Sequence, residues 1–218
     1  MTFKARMVYK KILDQGLIIQ QTEAQHAVAL DALQRIVFPS LAEAERMAER
    51  HYLHHLEVFP AGQLVVLDRE KVIGMTSSIR YHFSLEDHTF LEVSDNLWLN
   101  THEPEGDWLY GMDMGVHPDY RGRGLARQLY RARQEICRQL GLKGQIIVGM
   151  PNGYANYAPE MSLDAYYQQL LAGKIYDPTV GTQMRMGAEP QRLIHHYLDD
   201  PQCGNGGVLM ILAVEKEV

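Results

Sequence analysis

The sequence predicts one domain of the α/β (α+β) class over residues 1–218, with a mixed sheet flanked by helices. Three observations carry that expectation. Short β-rich runs and amphipathic helical runs alternate along the chain, no linker, repeat or low-complexity tract separates them, and a strand–loop–helix–strand unit occupies residues 107–149.

Gly16-Leu-Ile-Ile-Gln-Gln reads as the first strand, and Thr22-Glu-Ala-Gln25 has the form of a helix capping box. Ala27, Leu30, Leu33 and Val37 recur at helical spacing, and Pro39 ends that helix. Ser40-Leu-Ala-Glu43 offers a second box for a helix running to His55. Residues 63–67 and 71–83 are β-rich and joined by Asp68-Arg-Glu-Lys, a hairpin pattern. Residues 84–106 are polar and aperiodic, which predicts a long covering loop with one short ordered piece. Residues 107–117 form a fourth strand closed by Pro118. Leu125, Leu129, Ala132, Ile136 and Leu140 then define one face of a long helix, with the arginines elsewhere and Gly141 at its C-cap. Residues 145–149 give a fifth strand, 162–171 a helix with Ser162 as N-cap, 180–186 a shorter helix, and 192–197 and 208–214 two closing strands.

Composition narrows function. Hydrophobic residues at 46% and charged residues at 22% describe a packed globular chain. A formal charge of −6 argues against nucleic acid as a partner, because that affinity rests on basic residues neutralising phosphates. Cys137 and Cys203 lack paired spacing, and no leader-like segment precedes them, which suits a reducing cytoplasm. Apolar runs such as 208–214 are far shorter than the roughly 20 residues that cross a bilayer, so no membrane partner is expected.

Chemistry concentrates in Met114-Gly-Val-His-Pro-Asp-Tyr-Arg-Gly-Arg-Gly-Leu-Ala126, where a strand runs through glycines into the long helix. A helix N-terminus presents unpaired N–H groups and partial positive charge, and Gly122 and Gly124 let a diphosphate approach the main chain. Five arginines between 121 and 133 predict one positive mouth suited to a polyanion such as coenzyme A. The lysine and hydroxyl residue of a Walker loop are missing, as is a three-glycine dinucleotide turn.

Arg121-Gly-Arg-Gly124-Leu-Ala126 after Val116-His-Pro118 resembles the signature of the GNAT superfamily of acyl-CoA-dependent N-acetyltransferases, and the element order is similar from about 16 to 214. Asp107-Trp-Leu-Tyr-Gly-Met-Asp-Met-Gly-Val, Gly153-Tyr-Ala-Asn-Tyr-Ala and Gly173-Lys-Ile-Tyr-Asp-Pro178 resemble a subgroup found alone or fused to a carbon–nitrogen hydrolase domain. The resemblance implies a mostly antiparallel sheet splayed at the fourth and fifth strands, with acetyl-CoA as cosubstrate. It implies that Arg121, Gly122, Arg123, Gly124, Leu125 and Ala126 bind the diphosphate and that Met114, Gly115 and Val116 run beside the pantetheine arm. The acceptor it implies is a small-molecule or peptide amine, and it leaves a homodimer open.

For catalysis, Asp113 stands beside the implied thioester slot as a base acting directly or through water, or else as a structural partner. Gln183 occupies the position where family members often carry an acidic tyrosine, so Tyr110, Tyr154 and Tyr157 are the candidate acids. That departure keeps a non-catalytic acyl-CoA-binding or regulatory module as the alternative. His102 and Glu103 precede the fourth strand as candidate acceptor contacts. His51, His54 and His55 lack an evident third ligand, and His195-His196 alternates across an expected strand, so no metal is expected.

Overall fold

A computed structural model describes residues 9–218. Strand β1 spans Lys10–Ile12 and β2 Leu17–Gln21, followed by helices α1 (Ala27–Val37) and α2 (Glu49–Val58). Next come β3 (Leu64–Asp68), β4 (Lys71–Tyr81), α3 (Phe90–Ser94), β5 (Trp108–Val116), α4 (Leu125–Leu140) and β6 (Gly144–Gly149). Helices α5 (Leu163–Leu171) and α6 (Val180–Arg185) precede β7 (Glu189–Ile194) and β8 (Gly207–Ala213). The result is a single α/β domain around one eight-stranded mixed sheet in the order β1-β2-β3-β4-β5-β6-β8-β7. Neighbours pair antiparallel except β5 and β6, which pair parallel.

Each face of the sheet buries one apolar layer. Helices α1 and α2 lay Leu30, Leu33 and Tyr52 on Val65, Met75, Ile79 and Tyr110. On the opposite face α4 lays Leu125, Leu129, Ala132 and Ile136 on Ile19, Leu64, Ile73 and Leu109. Each leucine or isoleucine so buried contributes about 1.5–3 kcal/mol of transfer free energy. Gly141, at φ 68°, turns the chain out of α4 as its spacing predicts. Ser162 Oγ accepts the Ala165 N–H at 3.2 Å and caps α5 as expected.

Several boundaries differ from the sequence reading. The edge strand β1 was not foreseen, and the strands numbered fourth and fifth above are β5 and β6. Neither predicted capping box forms. Glu23 N–H donates to Nδ1 of His26 and Ala48 N–H to Nδ1 of His51, each at 3.0 Å, so imidazoles close the starts of α1 and α2. Ser40 instead donates to Asp200 at 3.0 Å, and α2 begins at Glu49. Within residues 84–106 the expected short ordered piece is α3, and left-handed turns at Asp95, Asn96, Leu97 and Leu99 then send Leu97 and Leu99 into the α1/α2 core. Strand β7 ends at Ile194, so His195 and His196 lie in a turn, where His195 meets Asp164 at 3.1 Å. No helix among the described residues is long and apolar enough to cross a membrane.

The packed 95–99 turn gives the fold a pH dependence. His55 is wholly buried, with Nε2 2.7 Å from the Leu97 carbonyl oxygen, and burial pushes its imidazole down to about 4. A depressed histidine contributes stability present above its ordinary value near 6.5 and lost as pH falls toward 4. Burial lowers His26 and His51 in the same direction. Urea midpoints of the wild type should therefore fall between neutral pH and about pH 4, with His55 alone supplying up to about 3 kcal/mol. His55→Gln, which keeps a donor for Leu97, should flatten that fall; equal slopes would remove His55 as its source.

Candidate active site

The site begins where the β5–β6 ladder stops. Leu109, Tyr110 and Gly111 pair with Gln145, Ile146 and Ile147, while β5 runs on to Val116 and β6 to Gly149 without further pairing between them. Met114, Gly115 and Val116 thus keep β4 on one side and a widening gap on the other. Gly115 permits the close approach of α1, because a Cβ there would press on Val37 and Met75.

A β-bulge stands at the apex of this splay. Ser77 pairs with Asp113 and Ser78 with Gly111, which leaves Met112 as the extra residue of β5. The bulge turns Asp113 onto the α1/α2 face. Its Oδ1 accepts the Ser77 N–H at 2.5 Å, and its Oδ2 accepts Gln34 Nε2 at 3.1 Å and the Tyr52 hydroxyl at 3.4 Å. Burial raises the Asp113 carboxyl above the usual carboxylate range, partly offset by the positive charge of Arg133.

Arg133 lies under the bulge from the α4 face and is 2% exposed. Its Nη2 donates to the carbonyl oxygens of Ser77 at 2.7 Å and Asp113 at 2.5 Å. Gly111 makes room for it, since a Cβ there would overlap Nη1. The five-arginine mouth expected from sequence therefore loses Arg133, which faces the sheet.

The remaining mouth is open. Gly122 and Gly124 both take φ 75°, and nothing stands within 4 Å of a Cβ built on either. Among the described residues, no hydrogen bond within the chain uses the N–H groups of Gly122, Arg123, Gly124, Leu125 or Ala126. Arg121 Nε donates to the Val116 carbonyl at 3.1 Å, tying the loop to the strand end. Arg123 stacks over the Tyr120 ring at 4.8 Å, which leaves donors of its guanidinium facing solvent.

The tyrosines separate. The Tyr110 hydroxyl, on the α1/α2 face, lies 2.6 Å from His88 Nε2 and 3.2 Å from the Tyr197 hydroxyl. Tyr154 donates to the Met161 carbonyl at 3.1 Å, and the Tyr154 and Tyr157 rings pack on Tyr166 at 5.6 and 5.3 Å. Buried Asp177 holds that segment together by accepting from Tyr166 and from the N–H groups of Gly153, Thr179 and Val180. Thus Tyr154 and Tyr157 gather around Tyr166, away from the partners of Asp113. His102 accepts the Arg80 N–H and stacks on Phe59 at 4.6 Å, and Glu103 accepts the His82 N–H, so both brace β4 and its continuation.

Gln34, Tyr52 and Tyr130 escaped the sequence reading as site residues, and Arg133 entered it only as part of the positive mouth. Gln34 carried a usable signal, being polar four residues after Leu30 on the apolar face of α1. Arg133 carried the same one, four residues after Leu129.

A mixed sheet splayed beside an open glycine turn at a helix N-terminus is the arrangement of the acetyltransferase (GNAT) fold. The chain belongs to the acetyltransferase (GNAT) family, whose family model matches residues 28–158. It is 33% identical over 189 residues to a probable hydrolase, YhcX, of Bacillus subtilis strain 168, covering 86% of this chain and 36% of that protein. It therefore spans about a third of that relative. An uncharacterised N-acetyltransferase, YkwB, of the same organism is 32% identical over 184 residues, with 83% and 81% covered. The GphF GNAT-like decarboxylase, solved with isobutyryl-CoA, superposes with a TM-score of 0.75 at 21% identity, covering 90% of this chain and 99% of that one.

The Gly111–Arg133 contact is testable. Gly111→Ala should cost roughly 2–3 kcal/mol, because the methyl displaces a buried guanidinium from two carbonyls. Urea unfolding measures it, and Arg133→Met in the same chain should recover part of the loss. A Gly111→Ala protein as stable as wild type would show that the guanidinium does not set the strand position.

Proposed function

We propose that this chain transfers an acyl group, acetyl as the first expectation, from acyl-CoA to a primary amine of a small molecule or peptide. The observation that carries the reading is the β5–β6 ladder ending at Gly111–Ile147, with the unpaired N–H groups of residues 122–126 beside the strand end at Val116. In this reading those N–H groups, with Arg121 and Arg123, hold the diphosphate. Met114, Gly115 and Val116 offer a free strand edge to the pantetheine arm. When bound, acetyl-CoA would supply a thioester carbonyl for the free amine to attack, with the N–C bond formed as the C–S bond breaks and the second proton of the amine nitrogen passing to the departing thiolate.

Asp113 accepts the proton of the ammonium form, directly or through water. Its raised carboxyl is a better base near neutral pH than an exposed aspartate. A second reading, an acyl-CoA-binding module without turnover, is favoured by one observation: both Asp113 oxygens already accept donors within the chain.

Calorimetric titration should give micromolar binding of acetyl-CoA and none of ATP. Gly124→Glu should abolish that binding while the protein stays folded, because a side chain at φ 75° costs about 1–2 kcal/mol and the added carboxylate repels the diphosphate. Unchanged affinity would remove the site from residues 121–126. Thiol release from acetyl-CoA across a panel of primary amines then separates the readings, since acceptor-dependent release with one amine excludes the module.

A further inference from the structure

Two open polar groups lie between the arms of the splay on the α4 face. Tyr130 of α4 is 5% exposed and Gln183 of α6 is 7% exposed, and Gln183 Nε2 donates to the Tyr130 hydroxyl at 2.8 Å. In that arrangement the hydroxyl oxygen is an acceptor and its own proton is unused. Among the described residues no acceptor takes it, and Gln183 Oε1, also buried, has no partner. Leaving such groups unpaired forfeits their hydration without replacing it. Buried groups of this kind call for a partner beyond the chain.

Their position gives the partner's surroundings. Gln183 Oε1 presses on Gly149, where a Cβ would overlap it, two residues past the last residue of β6 that pairs with β5. Met114, on the opposite arm, packs against the core that contains Tyr130. The pair therefore spans the gap beside which the arm of the cofactor would run.

We propose that Tyr130 and Gln183 form a subsite for a secondary amide of the pantetheine arm. A secondary amide presents one carbonyl and one N–H, and the pair presents one hydroxyl donor and one carbonyl acceptor. The amide carbonyl accepts the Tyr130 O–H, and the amide N–H donates to Gln183 Oε1. A glutamine at 183 serves where a tyrosine would not, because it braces Tyr130 through Nε2 and keeps Oε1 for the ligand. This assignment rests on the reading of the splay as an acyl-CoA site.

The test compares two ligands by calorimetry: coenzyme A, and 3′-phospho-ADP, which keeps the diphosphate and lacks the arm. Tyr130→Phe and Gln183→Leu should each weaken coenzyme A about tenfold and leave 3′-phospho-ADP unchanged. The double variant should lose less than the product of the two, because the groups act on one amide. Unchanged 3′-phospho-ADP affinity also certifies that the variants fold. Wild-type affinity for coenzyme A in both single variants overturns the subsite while leaving the cofactor site intact. Equal weakening of both ligands overturns it as well, since the effect is then not on the arm. A wild type that binds neither ligand removes the cofactor reading and the subsite together.

Discussion

The architecture of the site depends on one buried cation. Arg133 enters the sheet from α4 with two backbone carbonyls as its hydrogen-bond partners and, among the described residues, no carboxylate hydrogen-bonded to it. Burial lowers its affinity for the proton, but a guanidinium starts so high that it stays charged. An unpaired buried charge would be expensive, and the nearest compensation is the Asp113 carboxylate on the far side of the strand. Gly111, the Met112 bulge, Asp113 and Arg133 are therefore one unit. Glycine admits the guanidinium, the bulge turns Asp113 toward Gln34 and Tyr52, and just past Gly111 β5 leaves β6.

The two halves of the candidate site, residues 114–126 and the surroundings of Asp113, are built by different physics, and this decides what the sequence discloses. Residues 114–126 present main-chain N–H groups, glycine dihedrals and a helix start, all local in sequence. The glycine spacing and the helical period of α4 are accordingly legible, and with them the placement of β5 and β6, while the splay is implied only by the family resemblance. Around the bulge, Asp113, Gln34 and Tyr52 meet from one strand and two helices. No spacing rule connects those positions, because tertiary packing alone brings them together.

The misplaced boundaries have the same origin. Thr22 and Ser40 had the local form of caps, yet His26 and His51 close those helices and Ser40 is drawn to Asp200, far along the chain. The sequence reading counts Arg133 in the positive mouth, although its helical phase, one turn after Leu129, points inward. The bulge was invisible for a related reason. Strict alternation puts Tyr110 and Met112 on one face and Asp113 on the other, and the extra residue restores Asp113 to the face of Tyr110.

The arrangement around Asp113 also bears on how it would work as a base. Oδ2 already accepts two donors and takes a proton only by releasing one, whereas Oδ1 accepts only the Ser77 N–H. Its Ser77 contact at 2.5 Å belongs to the bulge and is the least expendable, whereas the Tyr52 hydroxyl at 3.4 Å is the loosest. Tyr52 has a second weak partner in Met75 Sδ at 3.5 Å, so its hydroxyl can swing without being stranded. Of the donors on Oδ2, Tyr52 is the one that can move aside, which would open that oxygen on the face bounded by α1 and α2. Under the proposed reading the acceptor would come over Asp113 and the thioester would enter through the gap beside Arg133 and the bulge.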